Sequence, residues 1–427
     1  MTPNWQKSLL CTLLGAALTG AVQASTLTDL LRQTLGNPGI VGRGLQLEAA
    51  ARDASAADMR YAGRASVFAG HNHYDAERVV GVFTPGVTAS PAPVAQDITQ
   101  YGVSYHLPLD VFGLISAERE LAKSNQAVAQ LLARQETLLR LHQTLTAYVR
   151  LQALAAQSQV LQTGQKQLEA YANRVREEIK LGRTPRIDLS LVQSDLARLA
   201  SQQAIFAGNR RAALAALKAS ANVSDALPDT TLLVPVIQGM DTQTSLPVAL
   251  AREQQKSAAA AAQKVRRNLF PAFSVDGQYA NYSGAGAQSQ AWAVGLNMNM
   301  PLDPAGMRSA SAAAQRAQAA QDMARAVEAD TLAQIAGLEA NYQAAVGNAN
   351  ALANEVEHRR EVVAVEREKW RLGASTMDAL LFHERNLLEA QFSLTDASAQ
   401  AAAAWSGMQI LLGTPSAQYI DSLEIKP

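Results

Sequence analysis

Tyr101-Gly-Val-Ser-Tyr-His-Leu-Pro-Leu-Asp110 and Ala293-Val-Gly-Leu-Asn-Met-Asn-Met-Pro-Leu-Asp303 are two alternating stretches that end in the same Pro-Leu-Asp. Their prolines stand 193 residues apart. A second pair of motifs recurs at almost the same distance. Leu181-Gly-Arg-Thr-Pro-Arg-Ile-Asp-Leu189 and Leu372-Gly-Ala-Ser-Thr-Met-Asp-Ala379 have glycines 191 residues apart. Two markers at one offset mean that the chain is written twice. That period is too long for a solenoid repeat.

The alternation sorts side chains onto two faces. Tyr101, Val103, Tyr105 and Leu107 share one, and Gln100, Gly102, Ser104 and His106 the other. Likewise Trp292, Val294, Leu296, Met298 and Met300 oppose Ala293, Gly295, Asn297 and Asn299. About ten residues with an apolar and a polar face is the length and pattern of a membrane β-strand, and a half-buried soluble strand gives the same alternation.

Working outward, each half reads helix, strand, strand, long helix, helix. In the first, a helix covers Leu27–Asp58 and strands cover Arg64–Tyr74 and Ile98–Leu107, with a loop at Asp75–Asp97 between them. Phe112 to Lys180 contains no proline; Gly182 and Pro185 break it, and Ile187–Ser220 is helical again. In the second, a helix precedes Pro271, and strands follow at Phe273–Tyr282 and Ala291–Met300. Pro304 opens a helix to Arg371, and a last helix runs from beyond Gly373 to Leu412. Leu131, Leu138 and Leu145 are spaced by heptads, as are Leu154, Leu161, Leu168 and Val175, which makes a coiled-coil seam. Nearly 70 helical residues span roughly 100 Å, longer than any compact domain. The expected organisation is a first repeat at 25–221, a linker at 222–244, a second repeat at 245–413 and a tail at 414–427.

Composition suits that reading. Of 427 residues only 5% are aromatic, while alanine is abundant, as long helices tolerate. Charge balances at 37 basic and 37 acidic residues, so no field draws nucleic acid. Residues 1–24 read as a signal peptide: Lys7, an apolar run from Ser8 to Val22, and small residues before Ser25. The single cysteine, Cys11, lies inside it, so the mature chain carries none, as suits an oxidising compartment. After the signal no apolar run of about 18 residues remains, so the mature chain is either soluble in the periplasm or crosses a membrane as a β-barrel. One chain supplies four strands, and open strand edges in lipid leave backbone groups unpaired at several kcal/mol each. The smallest bacterial barrels have eight strands and a filled interior. Three chains would give twelve strands and a lumen.

Two copies of this element order, the Pro-Leu-Asp strand ends and the Leu-Gly turns with a following aspartate resemble the TolC-like outer-membrane efflux proteins over about residues 26–413. The resemblance implies a mainly α protein: a long coiled-coil barrel in the periplasm, and four β-strands per chain completing a trimeric 12-stranded barrel in the outer membrane. The linker and tail would build an equatorial belt. It implies a passive exit duct of a tripartite efflux system, carrying drugs, metals or other toxic compounds. Its partners would be two further copies, a periplasmic adaptor, an inner-membrane exporter and outer-membrane lipid. The alternative is the channel of a type I protein secretion system. A periplasmic adaptor would have one hairpin and lipoyl-like domains, and two hairpins speak against that. No catalytic constellation, cofactor motif or metal site is expected.

The resemblance also points to residues. The turns Gly182, Arg183, Thr184, Pro185 and Gly373, Ala374, Ser375, Thr376 would form the tip that an adaptor contacts. Asp188, Arg371 and Asp378 would surround the periplasmic aperture. Where some relatives carry a second aspartate one turn on, this chain has Leu191 and Leu381, which suggests an apolar seal. Trp370 is expected in the helical core. His71 and His73 share a strand face, as two metal ligands would, but lack a third. They are read as polar lining of the lumen.

Overall fold

A computed structural model describes residues 27–82, 93–221 and 245–423. The signal segment, the linker 222–244 and the last four residues of the tail lie outside them. The described chain is a rod of helices capped by one sheet. In order it comprises α1 (Leu27–Thr34), α2 (Pro38–Met59), β1 (Arg64–Val79), β2 (Val94–Leu109), α3 (Leu114–Lys180) and α4 (Arg186–Ala221). Then follow α5 (Leu246–Arg267), β3 (Ala272–Gly284), β4 (Ala287–Asn299), α6 (Pro304–Arg371), α7 (Met377–Leu412) and α8 (Ser416–Asp421). The duplication is visible in lengths: α3 and α6 have 67 and 68 residues, α4 and α7 both 36, α2 and α5 both 22.

The helix expected at 27–58 is two. The residue before a proline is held out of the helical region, and Asn37 precedes Pro38. Its side chain caps α2, accepting from the Gly39 N–H at 2.9 Å. Its amide also donates to the carbonyls of Ala219 and Ser220 at the end of α4, at 3.1 and 2.9 Å. Thus α2 stacks end to end on α4. The second half does the same with apolar contact. Gly413 ends α7 at φ 64°, and a Cβ there would approach that of Leu246, the first residue of α5, to 2.9 Å. The unbroken α3 lies beside α2 and α4 on one flank and α5 and α7 on the other; α6 follows beyond α5 and α7.

Pro-Leu-Asp is a strand end fused to a helix cap. Asp303 accepts from the Ala305 N–H at 2.9 Å and caps α6. Asp110 accepts from the N–H groups of Ile115 and Ser116 at 2.8 and 2.9 Å and caps α3.

The strands form one antiparallel sheet in the order β1-β2-β3-β4, so β1 and β4 are unpaired edges. Cross-strand partners place Val67, Val103, Tyr279 and Trp292 in one row of one face. Tyr105 and Leu107 with Val275, Val294, Leu296 and Met298 continue that face towards the helices. It stands open: Trp292 is 77% and Leu296 68% exposed. Phe112 stacks on Phe270 at 5.3 Å and lies 6.3 Å from Phe273 where sheet meets helices. Aromatics therefore mark both margins of the apolar band, as at membrane interfaces.

Two expectations at the far end are corrected. The hairpin β1–β2 extends into the stretch read as a loop, because backbone pairing continues past the apolar band with Asp75, Glu77 and Arg78 in water. Residues 83–92 of that stretch lie outside the described residues. His71 and His73 are on the face of Val67, not the polar one, beyond the apolar band. Their Nδ1 atoms meet Thr99 Oγ1 at 2.9 Å and Asp97 Oδ1 at 2.8 Å.

Two cores hold the rod. One, at mid-length, joins α1 and α8 to α3 and α7 through Leu30, Leu31, Leu141, Leu145, Trp405 and Tyr419. The other, at the tip, gathers Leu161, Leu168, Val175, Val192 and Leu380. The leucines read as a seam are thus packing.

Candidate functional site

The expected site residues all fall at the end of the rod opposite the sheet. Both turns there are Schellman motifs. Gly182 (φ 68°) donates to Ile179 O at 3.0 Å, and Arg183 N–H to Glu178 O at 2.9 Å. Gly373 (φ 76°) donates to Trp370 O at 3.0 Å, and Ala374 N–H to Lys369 O at 2.8 Å. A hydroxyl pins each turn: Thr184 donates to Glu178 at 3.0 Å and Ser375 to Glu366 at 2.9 Å. Thr376 caps α7. Gly182, Arg183, Pro185, Gly373, Ala374 and Thr376 are exposed, as a contact surface requires.

The two turns are held side by side. The Arg174 guanidinium lies over the Trp370 ring at 4.8 Å and donates to Arg371 O at 3.2 Å. Trp370 meets Tyr171 edge-on at 5.4 Å, so the core role expected for it stands. The Arg174 bond, helped by Thr184, holds the Glu178 carboxyl below its usual pKa.

The aperture residues do not converge within one chain. Asp378 is exposed in the first turn of α7, and Asp188 half-buried in the first turn of α4. Burial raises the Asp188 pKa, and the Glu178 charge adds to it. Arg371 bonds Glu368 of its own helix at 2.8 Å, not Asp378. Leu191 is half-buried against the tip core. Leu381 is 0% exposed. Its expected place in an apolar seal is corrected: the inward stripe of α7 takes Met377, Leu380 and Leu381 into the chain's own core.

Sequence reasoning missed the polar links between the hairpins. Arg385 of α7 bonds the buried Asp195 of α4 at 2.9 and 3.1 Å. These two stand 190 residues apart, as do Asp188 and Asp378. They are repeat-equivalent positions with opposite charge, and that was the available signal. Above them Tyr171 donates to Glu384 at 2.8 Å, and Arg367 donates to both, at 2.7 and 2.8 Å. This triad joins α3, α6 and α7 beside a cavity of about 430 Å³. Among the described residues, no group of three or more His, Cys, Asp or Glu could hold a metal, and no helix is long and apolar enough to cross a membrane.

Residues 243–414 match the family described as outer membrane efflux protein. The match covers less than half of the chain, from the start of α5 to the end of α7, so the second repeat resembles the outer membrane efflux proteins. The fold of outer-membrane channels is shared over nearly the whole chain. The outer membrane protein VceC of Vibrio cholerae superposes with a TM-score of 0.76 at 17% identity, over 91% of this chain and 96% of that one. The CmeC outer membrane channel of Campylobacter jejuni gives 0.78 at 14%, over 99% of both chains. The MtrE outer membrane channel of Neisseria gonorrhoeae, in its open state, gives 0.77 at 16%, over 97% and 98%. No curated protein matches the chain significantly. The TolC-like resemblance read from the duplicated motifs is to this same efflux-protein family.

Proposed function

We propose that this protein is an outer-membrane efflux protein, the passive duct of a tripartite system, built as a homotrimer. One observation carries the reading: a four-stranded sheet with an open apolar face and two unpaired edges, set on a rod of coiled coils. Lipid tolerates no such edges. Pairing β4 of one copy with β1 of the next closes twelve strands with three copies and leaves a lumen. The helices support the same assembly. Val362 and Val365 of α6, Val41 and Leu45 of α2 and Ile205 of α4 are exposed apolar side chains. Neighbouring copies would cover them.

Residues 1–24 then direct export, and 25–221 and 245–413 act as the two repeats. The linker 222–244 and the tail form the equatorial belt; α1 and α8, packed on the mid-length core, support that placing. The exposed Gly182 and Gly373 turns receive a periplasmic adaptor, which couples the duct to an inner-membrane exporter. Asp188, Leu191, Arg371 and Asp378 surround the aperture. The family description names efflux, which favours a cargo of small toxic molecules. No chemistry is asked of the chain, since transport is driven by the exporter.

Native mass spectrometry of the full-length protein, purified from outer membranes in detergent, tests the reading. Three copies are expected. A stable, water-soluble monomer would overturn it.

A further inference from the structure

In the assembly just proposed, on which this inference rests, the polar sheet face lines the lumen. Most of that face carries no charge. Gly70, Gly102, Ala280, Ala291, Ala293 and Gly295 leave much of the wall bare. Charge is confined to one row near the helices. Arg64 is paired in register with His106, His106 with Asp276, and Asp276 with Gly295. Across the regular register (64–73, 97–109, 273–283 and 288–299), these are the only charged or imidazole side chains on this face.

The row is built rather than loosely solvated. Asp276 accepts from Ser274 Oγ at 2.7 Å and Asn297 Nδ2 at 2.6 Å, and also bonds His106 Nδ1. The carboxylate is therefore fixed in position. Arg64 is exposed, makes no ion pair among the described residues and stands by register on the same face as His106.

We propose that Arg64, His106 and Asp276 form a ring of fixed charge on the lumen face of the regularly paired strands, balanced so that this part of the barrel passes cations and anions alike. Three copies set three guanidinium groups against three carboxylates at one level. A one-signed ring with low-dielectric walls would concentrate one kind of ion and exclude the other. The balanced ring does neither. This part of the barrel admits cargo of either charge or none, and any sorting by sign falls to the aperture or to the other components.

Reversal potentials of purified trimers in planar bilayers under a KCl gradient test this. The unmodified channel sets the reference K⁺-to-Cl⁻ permeability ratio, to which the charges at the aperture also contribute. Asp276→Asn keeps hydrogen-bonding groups and leaves Arg64 unbalanced; it should favour Cl⁻. Arg64→Gln should favour K⁺. Gly295→Glu adds a carboxylate to the same row, where a Cβ meets nothing within 4 Å, and should also favour K⁺. Each shift should be on the order of threefold or more. It should grow at low salt, as the screening length rises from about 10 Å at 0.1 M to 30 Å at 0.01 M. Ratios that stay put, or that move together in one direction, overturn the inference. Native mass spectrometry separates this outcome from failure of the trimer itself, and any one variant that assembles suffices to decide.

Discussion

Asp110 and Asp303 end the same motif but are bonded unequally. Asp303 accepts one backbone N–H, whereas Asp110 accepts two, with the hydroxyls of Ser116 and Tyr61 in addition. Burial, the largest single influence on Asp110, opposes ionisation. The bonds from Ser116, Ile115 and Tyr61 together outweigh it, and the pKa is lowered. Those bonds therefore stabilise the fold above the unfolded carboxylate pKa of about 3.9, and are lost as pH falls through the lower folded value. Asp110→Ala should cost about 0.5–2 kcal/mol, and Asp303→Ala less. Thermal melting of the detergent-solubilised protein checks this; equal losses would contradict the unequal bonding. At the tip, an added Cβ at Gly182 or Gly373 meets open space, so only the positive φ resists substitution. Gly→Ala at either should cost about 1–2 kcal/mol in the same assay.

The strands were legible because period 2 needs no knowledge of neighbours. Their ends were not: the charged extension of β1 looks like a loop until its pairing with β2 is seen. The face assignment makes a prediction that one substitution can test at two sites. Leu296→Lys sets an ammonium in lipid at a cost of roughly 2–4 kcal/mol per chain near mid-depth, and should block assembly. Ala293→Lys, on the other face, should assemble. Outer-membrane fractionation of both variants is the measurement; equal tolerance would mean that the faces are reversed. The helices were legible for the same reason, since α6 starts at Asp303-Pro304 and ends at Gly373 as capping rules require. The break at Asn37 and the short α8 in the tail were missed there. The Asn37 cap is a local signal, but its bonds to Ala219 and Ser220 join residues more than 180 positions apart.

Between hairpins, the tip is held by Asp195–Arg385 and by Tyr171, Arg367 and Glu384. Arg385→Ala would leave the Asp195 carboxylate, 7% exposed, with only Arg198 at 3.6 Å. A loss of about 1–3 kcal/mol is expected. A tip opened by that loss should raise single-channel conductance in planar bilayers. Unchanged conductance with a lowered melting point would assign the pair to packing alone. Pairing across the tip escaped the sequence because the partners sit on different helices, at positions that only the pseudo-symmetry of the two repeats relates.

The sequence by itself determined the duplication, the element order and the two faces of the sheet. All of these follow from local periodicity and backbone sterics. Tertiary structure decided which side chains remain available. Leu381 lies at the position where an aperture residue was expected, yet the inward stripe of α7 buries it. His71 and His73 were read as polar lining, yet register with Thr99 and Asp97 puts them on the face of Val67. Burial and register depend on what packs opposite, and no stretch of chain carries that information about its own partner.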